Sequence, residues 1–183
     1  MNQSIYAEMM VHVPLCTNKD PHDILILSNE GANLLSEIEK HNDDIKATIL
    51  DATLERLREG EDGAYDVIIC EIQNADSAVI AHINRTLKAD GLVVMQHPLL
   101  KDVKANKTLM QELGKYFKII MPYNLGNGAT ALLASKEYHP TADIILQRSD
   151  LLDNLNVYNC DLHIASFAMP NYIRKEYLGI IRN

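Results

Sequence analysis

Glu71 stands directly after the apolar run Tyr65 to Cys70 (YDVIIC), with Gln73, Asn74 and Asp76 in the loop beyond it. A carboxylate placed there can hold a cationic amine and take its proton, a necessary step because an ammonium has no lone pair with which to attack. Its competing role is that of a solvated acid on a surface loop, where most carboxylates sit. Asp51 follows a second apolar run and lies twenty positions beyond Gly31, which sits in Ser28-Asn-Glu-Gly-Ala-Asn33 after a first run. That offset matches the distance at which an acid accepts the ribose hydroxyls of a bound nucleotide, although Asp51 would equally serve to cap the helix that follows. Near the other end, Tyr158 to Tyr172 (YNCDLHIASFAMPNY) combines Tyr158, Asp161 and His163 with an apolar stretch closed by Pro170. It reads either as an active-site segment or as a packing strap.

The elements that must position these groups follow from hydrophobic patterning. Asp23 to Leu27 is a continuous apolar run of the kind that a strand buried on both faces shows, and Asn33 to His41 has helical spacing with Leu34, Leu35 and Ile38 inward. Strands are expected at 45–50, 65–70, 92–96, 117–121 and 129–135. Helices are expected at 53–59, 78–87 and 104–113, with a turn at Lys88 to Gly91 (KADG). Alternation of this kind implies an α/β protein with a mostly parallel sheet covered by helices on both faces. In such folds ligands bind outside the carboxyl ends of the strands, which directs attention to Ser28 to Asn33, Asp51 and Glu71.

Composition narrows the chemistry. The chain has 183 residues and 47% hydrophobic content, enough for one domain with a sizeable core, and no repeat or linker divides it. A formal charge of −8 argues against a nucleic-acid partner and favours cationic or neutral ligands. The amino-terminal residues carry no leader pattern and no apolar run approaches membrane-spanning length, so the expected location is the cytoplasm. Cys16, Cys70 and Cys160 are widely spaced and are expected to be reduced, buried thiols. The seven histidines show no metal-binding spacing, and neither a Gly-x-Ser-x-Gly elbow nor a P-loop is present.

Tyr6 to Leu15 (YAEMMVHVPL) and Tyr158 to Pro170 (YNCDLHIASFAMP) together resemble the spermidine synthase family of polyamine aminopropyltransferases, over nearly the whole chain. "KADG", the loop from Gly126 to Gly128, and "ASK" at Ala134 to Lys136 fall at the intervals expected for it. The resemblance implies a Rossmann-like fold similar to that of the S-adenosylmethionine methyltransferases. It implies transfer of an aminopropyl group from decarboxylated S-adenosylmethionine, a co-substrate, to putrescine or a related diamine, with no metal and no resident cofactor. By position it implies Glu71 as the catalytic acid, and Tyr6 and Tyr158 as tyrosines flanking the diamine, with Gln73 and Asn74 beside it and Asp161 in support. The donor falls to Glu30, Gly31 and Asp51. A homodimer is the assembly it suggests.

This sequence departs from the family pattern in the donor loop. There "SNEGAN" replaces a run of glycines and Gly31 stands where an acid belongs. The segment 1–183 is expected to form a single domain, without the family's amino-terminal β-rich domain and shortened by about one βα unit between Leu50 and Tyr65. An edge strand can be lost in this way, because one crossover still leads from the second strand past the first. A catalytically silent relative acting as a binding module is the alternative. A methyltransferase would share the fold but leaves both end segments unexplained.

Overall fold

The computed structural model describes residues 3–183. Its sheet has six strands: β1 (Asp23–Leu27), β2 (Lys46–Leu50), β3 (Tyr65–Cys70), β4 (Leu87–Met95), β5 (Ile119–Asn124) and β6 (Thr130–Ser135), in the order β2-β1-β3-β4-β6-β5. The first four are parallel to one another, and β6 runs antiparallel between β4 and β5. β1 and β3 are buried almost without interruption because helices cover both faces, as their continuous apolar sequences require. β2 is an exposed edge, joined to β3 through one short helix; the shortened crossover is therefore present and leaves the sheet intact.

One face is covered by α1 (Gln3–Thr17) and α2 (Ala32–Ile38), the other by α3 (Leu54–Arg58), α4 (Ser77–Thr86) and α5 (Val103–Leu113). The remaining helices, α6 (Leu146–Asp150), α7 (Cys160–Ser166) and α8 (Asn171–Glu176), lie in the carboxyl-terminal third. α1 is apolar nearly all round, and every residue from Ala7 to Thr17 is buried. Such a helix buries even its polar residues Glu8 and His12, so it has no solvent-facing polar stripe for periodicity to reveal.

Two sequence expectations need correction here. "KADG" is no turn: residues 88–91 belong to β4, where the β3 to β4 register shifts between Tyr65 and Val67. A Cβ on Gly91 would come within 2.9 Å of Leu87 and 3.2 Å of the Asp66 carbonyl, so glycine is needed for close approach at the irregularity. Asp51 does not cap α3, because that role falls to Thr53, whose Oγ1 accepts the Arg56 N–H at 3.3 Å.

Buried polar groups fix α1 in place. The Glu8 carboxylate is fully buried and accepts the backbone N–H groups of Asn156 (3.0 Å), Val157 (2.8 Å) and Tyr158 (2.9 Å), with the Ser4 hydroxyl at 3.2 Å. Burial opposes the charge, but these donors outweigh it and hold the carboxyl below its ordinary value. His12 bonds Glu37 Oε2 through Nε2 at 3.0 Å and His41 Nε2 through Nδ1 at 3.0 Å. A neutral His12 must donate to the carboxylate, so its Nδ1 accepts from His41. Burial pushes His12 down to about 4 and His41 down to about 3, with the neighbouring Lys40 and Arg148 charges, respectively, acting in the same direction.

These shifts share one sign. The unfolded chain takes up protons on His12 and His41 below about pH 6.5, and the folded chain does so only near their depressed values, so stability falls as pH drops from about 6.5 towards 4. Each group contributes a slope of up to about 1.4 kcal/mol per pH unit. Glu8 adds to the loss once pH falls through its own depressed value. Urea unfolding at pH 7.5 and 5.0 checks this, and Glu8→Gln, at pH 7.5, is expected to cost about 2 kcal/mol because a neutral amide replaces a buried, triply bonded carboxylate.

Candidate active site

Four residues stand side by side on one rim of the sheet. Ser28, Asp51, Glu71 and Gln96 each follow immediately after a parallel strand, and the strand ends are level: Leu27 pairs with Leu50 and Cys70, and Cys70 with Met95. The row runs Asp51, Ser28, Glu71, Gln96, about 4.8 Å apart. The Glu71 N–H continues the ladder to the Leu27 carbonyl at 2.9 Å.

The Glu71 carboxylate is held at both oxygens. The Tyr6 hydroxyl, from the start of α1, donates to Oε1 at 2.6 Å, and the Ser28 hydroxyl donates to Oε2. Gln96 Nε2 donates to the Tyr6 oxygen at 2.9 Å, and Gln73 Nε2 donates to Gln96 Oε1. Burial, followed by the bond to Glu71 and its charge, pushes the Tyr6 hydroxyl well above its ordinary range. Tyr6 therefore stays protonated and acts as a fixed donor.

Beside this chain opens a cleft of about 830 Å³, walled by Gln73, Asn74, Asp76, Gln96, His97 and Thr108. Asn74 turns the chain there with φ of 52°, a left-handed conformation that asparagine tolerates. His97 forms a fixed wall: Nδ1 meets Asn106 Oδ1 at 2.7 Å and Nε2 meets Thr130 Oγ1 at 2.9 Å. The Asn106 amide nitrogen donates to carbonyls, so its oxygen accepts, His97 Nδ1 carries the proton and Nε2 accepts from Thr130.

On the other side of Glu71 lies the loop Ser28 to Asn33. Gly31 has φ of −72°, so no left-handed geometry calls for glycine; instead a Cβ would come within 3.1 Å of Ile49 and 3.3 Å of Ile26. The position a Cβ would take at Gly31 thus faces the sheet. Glu30 is exposed and its N–H donates to Ser28 Oγ at 3.0 Å. Asn29 Oδ1 accepts the Ala52 N–H at 3.1 Å and draws this loop to the one after β2. Asp51 is exposed, with Arg56 Nε at 3.7 Å.

The structure brings Tyr6, Glu71, Gln73 and Asn74 together and separates Tyr158 and Asp161 from them. Tyr158 is buried; His163 Nε2 bonds the Pro140 carbonyl at 2.9 Å, which leaves Nδ1 to accept the Tyr158 hydroxyl at 2.8 Å. Its hydroxyl lies near Cys16, towards the carboxyl end of α1, whereas Tyr6 is at the other end. The Tyr158 ring lies beside that of His12, with centroids 5.1 Å apart, so its hydroxyl points along α1 away from Tyr6. Asp161 is exposed in the first turn of α7. Burial pushes the Cys16 and Cys70 thiols up to about 11 and about 12, and Cys160, expected to be buried, is half-exposed. Ser28 lies in the segment that the sequence singles out but carries no assigned role there, and Gln96 is absent from the expected site, although its position directly after a parallel strand marks it.

Comparison with known proteins places the chain in a family. Residues 3–54 match the family model "Spermine/spermidine synthase domain". The chain is 30% identical to the polyamine aminopropyltransferase of Helicobacter acinonychis (strain Sheeba) over 200 residues, covering 93% of this chain and 76% of that protein. The chain belongs to the polyamine aminopropyltransferase family. Another member, from Helicobacter pylori (strain G27), is 27% identical, covering 98% of this chain and 79% of its own. Spermidine synthase from Thermotoga maritima superposes with a TM-score of 0.79 at 25% identity, over 94% of this chain and 73% of that one. The Rossmann-like architecture expected from the strand and helix alternation is thus the family's own. No helix among the described residues is long and apolar enough to cross a membrane.

Tyr6 and Tyr158, equivalent in sequence expectation, should separate in experiment. Tyr158→Phe leaves His163 Nδ1 buried without a donor and is expected to cost about 1 to 3 kcal/mol of stability while the groups around Glu71 stay in place. Tyr6→Phe is expected to free Glu71 Oε1 and lower activity with little loss of stability. Chemical denaturation and activity assays on both variants check this.

Proposed function

We propose that the protein is a polyamine aminopropyltransferase that moves an aminopropyl group from decarboxylated S-adenosylmethionine to putrescine or a related diamine. The observation that carries this reading is the Glu71 carboxylate at the middle of the rim, fixed by Tyr6 and Ser28, with the cleft on one side and the loop Ser28 to Asn33 on the other. The donor is a co-substrate and brings its own leaving group.

In this reading the diamine lies over β3 and β4 with one amino group at Glu71 and its chain directed into the cleft past Gln73 and Asn74. The donor lies over β1 and β2, its ribose towards Asp51. Glu71 accepts a proton from the attacking amine, and the free nitrogen pair then forms a bond to the donor carbon next to sulfur. The carbon–sulfur bond breaks, its electron pair stays on sulfur, and the sulfonium becomes a neutral thioether. Tyr6 steadies the carboxylate without competing for the proton, since it remains protonated throughout. Because leaving group and nucleophile are both small-molecule parts, the protein contributes orientation and negative charge. The cytoplasm and a homodimer are the setting that goes with this proposal.

A second reading, a catalytically silent family member that binds a polyamine or a protein partner but not the donor, is favoured by one observation. Asn29 and Arg56 occupy polar groups around Asp51 that a nucleoside would use, namely the Ala52 N–H and the Asp51 carboxylate. Mass analysis of the product formed from decarboxylated S-adenosylmethionine and putrescine decides between them, with donor binding measured by calorimetry. The proposal expects aminopropylated diamine, loss of donor affinity in Asp51→Ala, and a fall in rate of about 10² or more in Glu71→Gln. Absence of both product and donor binding at millimolar concentrations leaves the silent reading.

A further inference from the structure

By the family resemblance, Ser28 stands in a loop that is otherwise a run of glycines, and Glu71 stands where the resemblance implies an aspartate, one methylene shorter. The two departures meet in a single hydrogen bond. Ser28 is buried directly after β1, and its Oγ already accepts the Glu30 N–H at 3.0 Å. Its own proton is therefore directed elsewhere, and it goes to Glu71 Oε2. Tyr6 takes Oε1 from the opposite side, at 2.6 Å. A carboxylate has about four lone-pair sites, so these two bonds leave about two for an incoming amine.

We infer that Ser28 is a positioning residue for Glu71, matched to it in length, so that the hydroxyl at 28 fixes the longer acid where a bare glycine could not. The inference rests on the aminopropyl-transfer reading of this rim. An extended glutamate that starts on β3 has one more torsion than aspartate and can sweep across the gap between the donor loop and the cleft. With one oxygen bonded to the α1 tyrosine and the other to the neighbouring strand end, rotation about its terminal torsions is removed. The same bond links the base to the loop that would carry the donor, so base and donor sites keep a fixed separation. Aspartate at 71, shorter by about 1.5 Å, cannot hold Tyr6 and Ser28 at once.

A double-mutant cycle tests this in the full chain. Ser28→Ala is expected to lower kcat roughly tenfold, with donor KM unchanged, because misplacement by an ångström at a reacting centre costs up to about 10² in rate. In a Glu71→Asp background the same change should have no effect within twofold, since the shorter acid does not reach residue 28. Equal losses in both backgrounds, an unchanged rate with Glu71 present, or a gain in rate overturn the inference. Ser28→Gly guards against an effect peculiar to alanine and should reproduce it. One readout needs no turnover: the carboxyl carbon resonance of Glu71 should move in Ser28→Ala while the unfolding midpoint does not. If no variant or parent transfers an aminopropyl group but that resonance moves, the positioning stands and the enzymatic reading falls. If the resonance does not move, the positioning is wrong whatever the activity.

Discussion

A carboxylate buried away from water must find donors, and Glu8 finds three consecutive backbone N–H groups in the segment Asn156 to Tyr158. This interaction joins the first helix to the carboxyl-terminal third of the chain. Without it α1 would carry an uncompensated buried charge, a cost of several kcal/mol. With it, α1 lies flat under the sheet and delivers Tyr6 to the rim where β1, β3 and β4 end. The His12, Glu37 and His41 contacts fix the same helix one turn further along the same face. The site thus depends on a structural acid two residues from its tyrosine.

Parallel register does the remaining work. In a parallel sheet the strands end on one side, and here the ends are level, so single residues distant in sequence form a row. Ser28, Glu71 and Gln96 need no long loops to meet, because each sits one position beyond a rigid strand. Rigid placement suits a reaction in which the substrates carry the reactive groups and the protein supplies alignment and charge.

Much of this was legible in the chain because buried parallel strands are written as unbroken apolar runs. DILIL and YDVIIC announce themselves, and with them the positions where Asp51 and Glu71 emerge. Other parts were not legible, each for a physical reason. α1 is buried nearly all round, its polar residues included, and contains Pro14, so it lacks both an exposed polar face and an uninterrupted helical sequence. "KADG" has turn composition, yet its glycine serves a close backbone approach inside β4. Tyr158 and Tyr6 look alike as motif tyrosines; which one is buried depends on His163 and Pro140, contacts that local sequence does not encode. The role of Ser28 and the presence of Gln96 become visible only once the register shows which strand ends are level.

The central claim is that Glu71 is the group that meets the acceptor amine. It is tested most directly by the crystal structure of the protein with putrescine and a nucleoside thioether bound. The account predicts one amino nitrogen within about 2.6 to 3.2 Å of a Glu71 oxygen, with the Tyr6 bond retained and the diamine chain passing Gln73 into the cleft. A diamine bound elsewhere, or a Glu71 carboxylate still engaged solely with Tyr6 and Ser28, would contradict it.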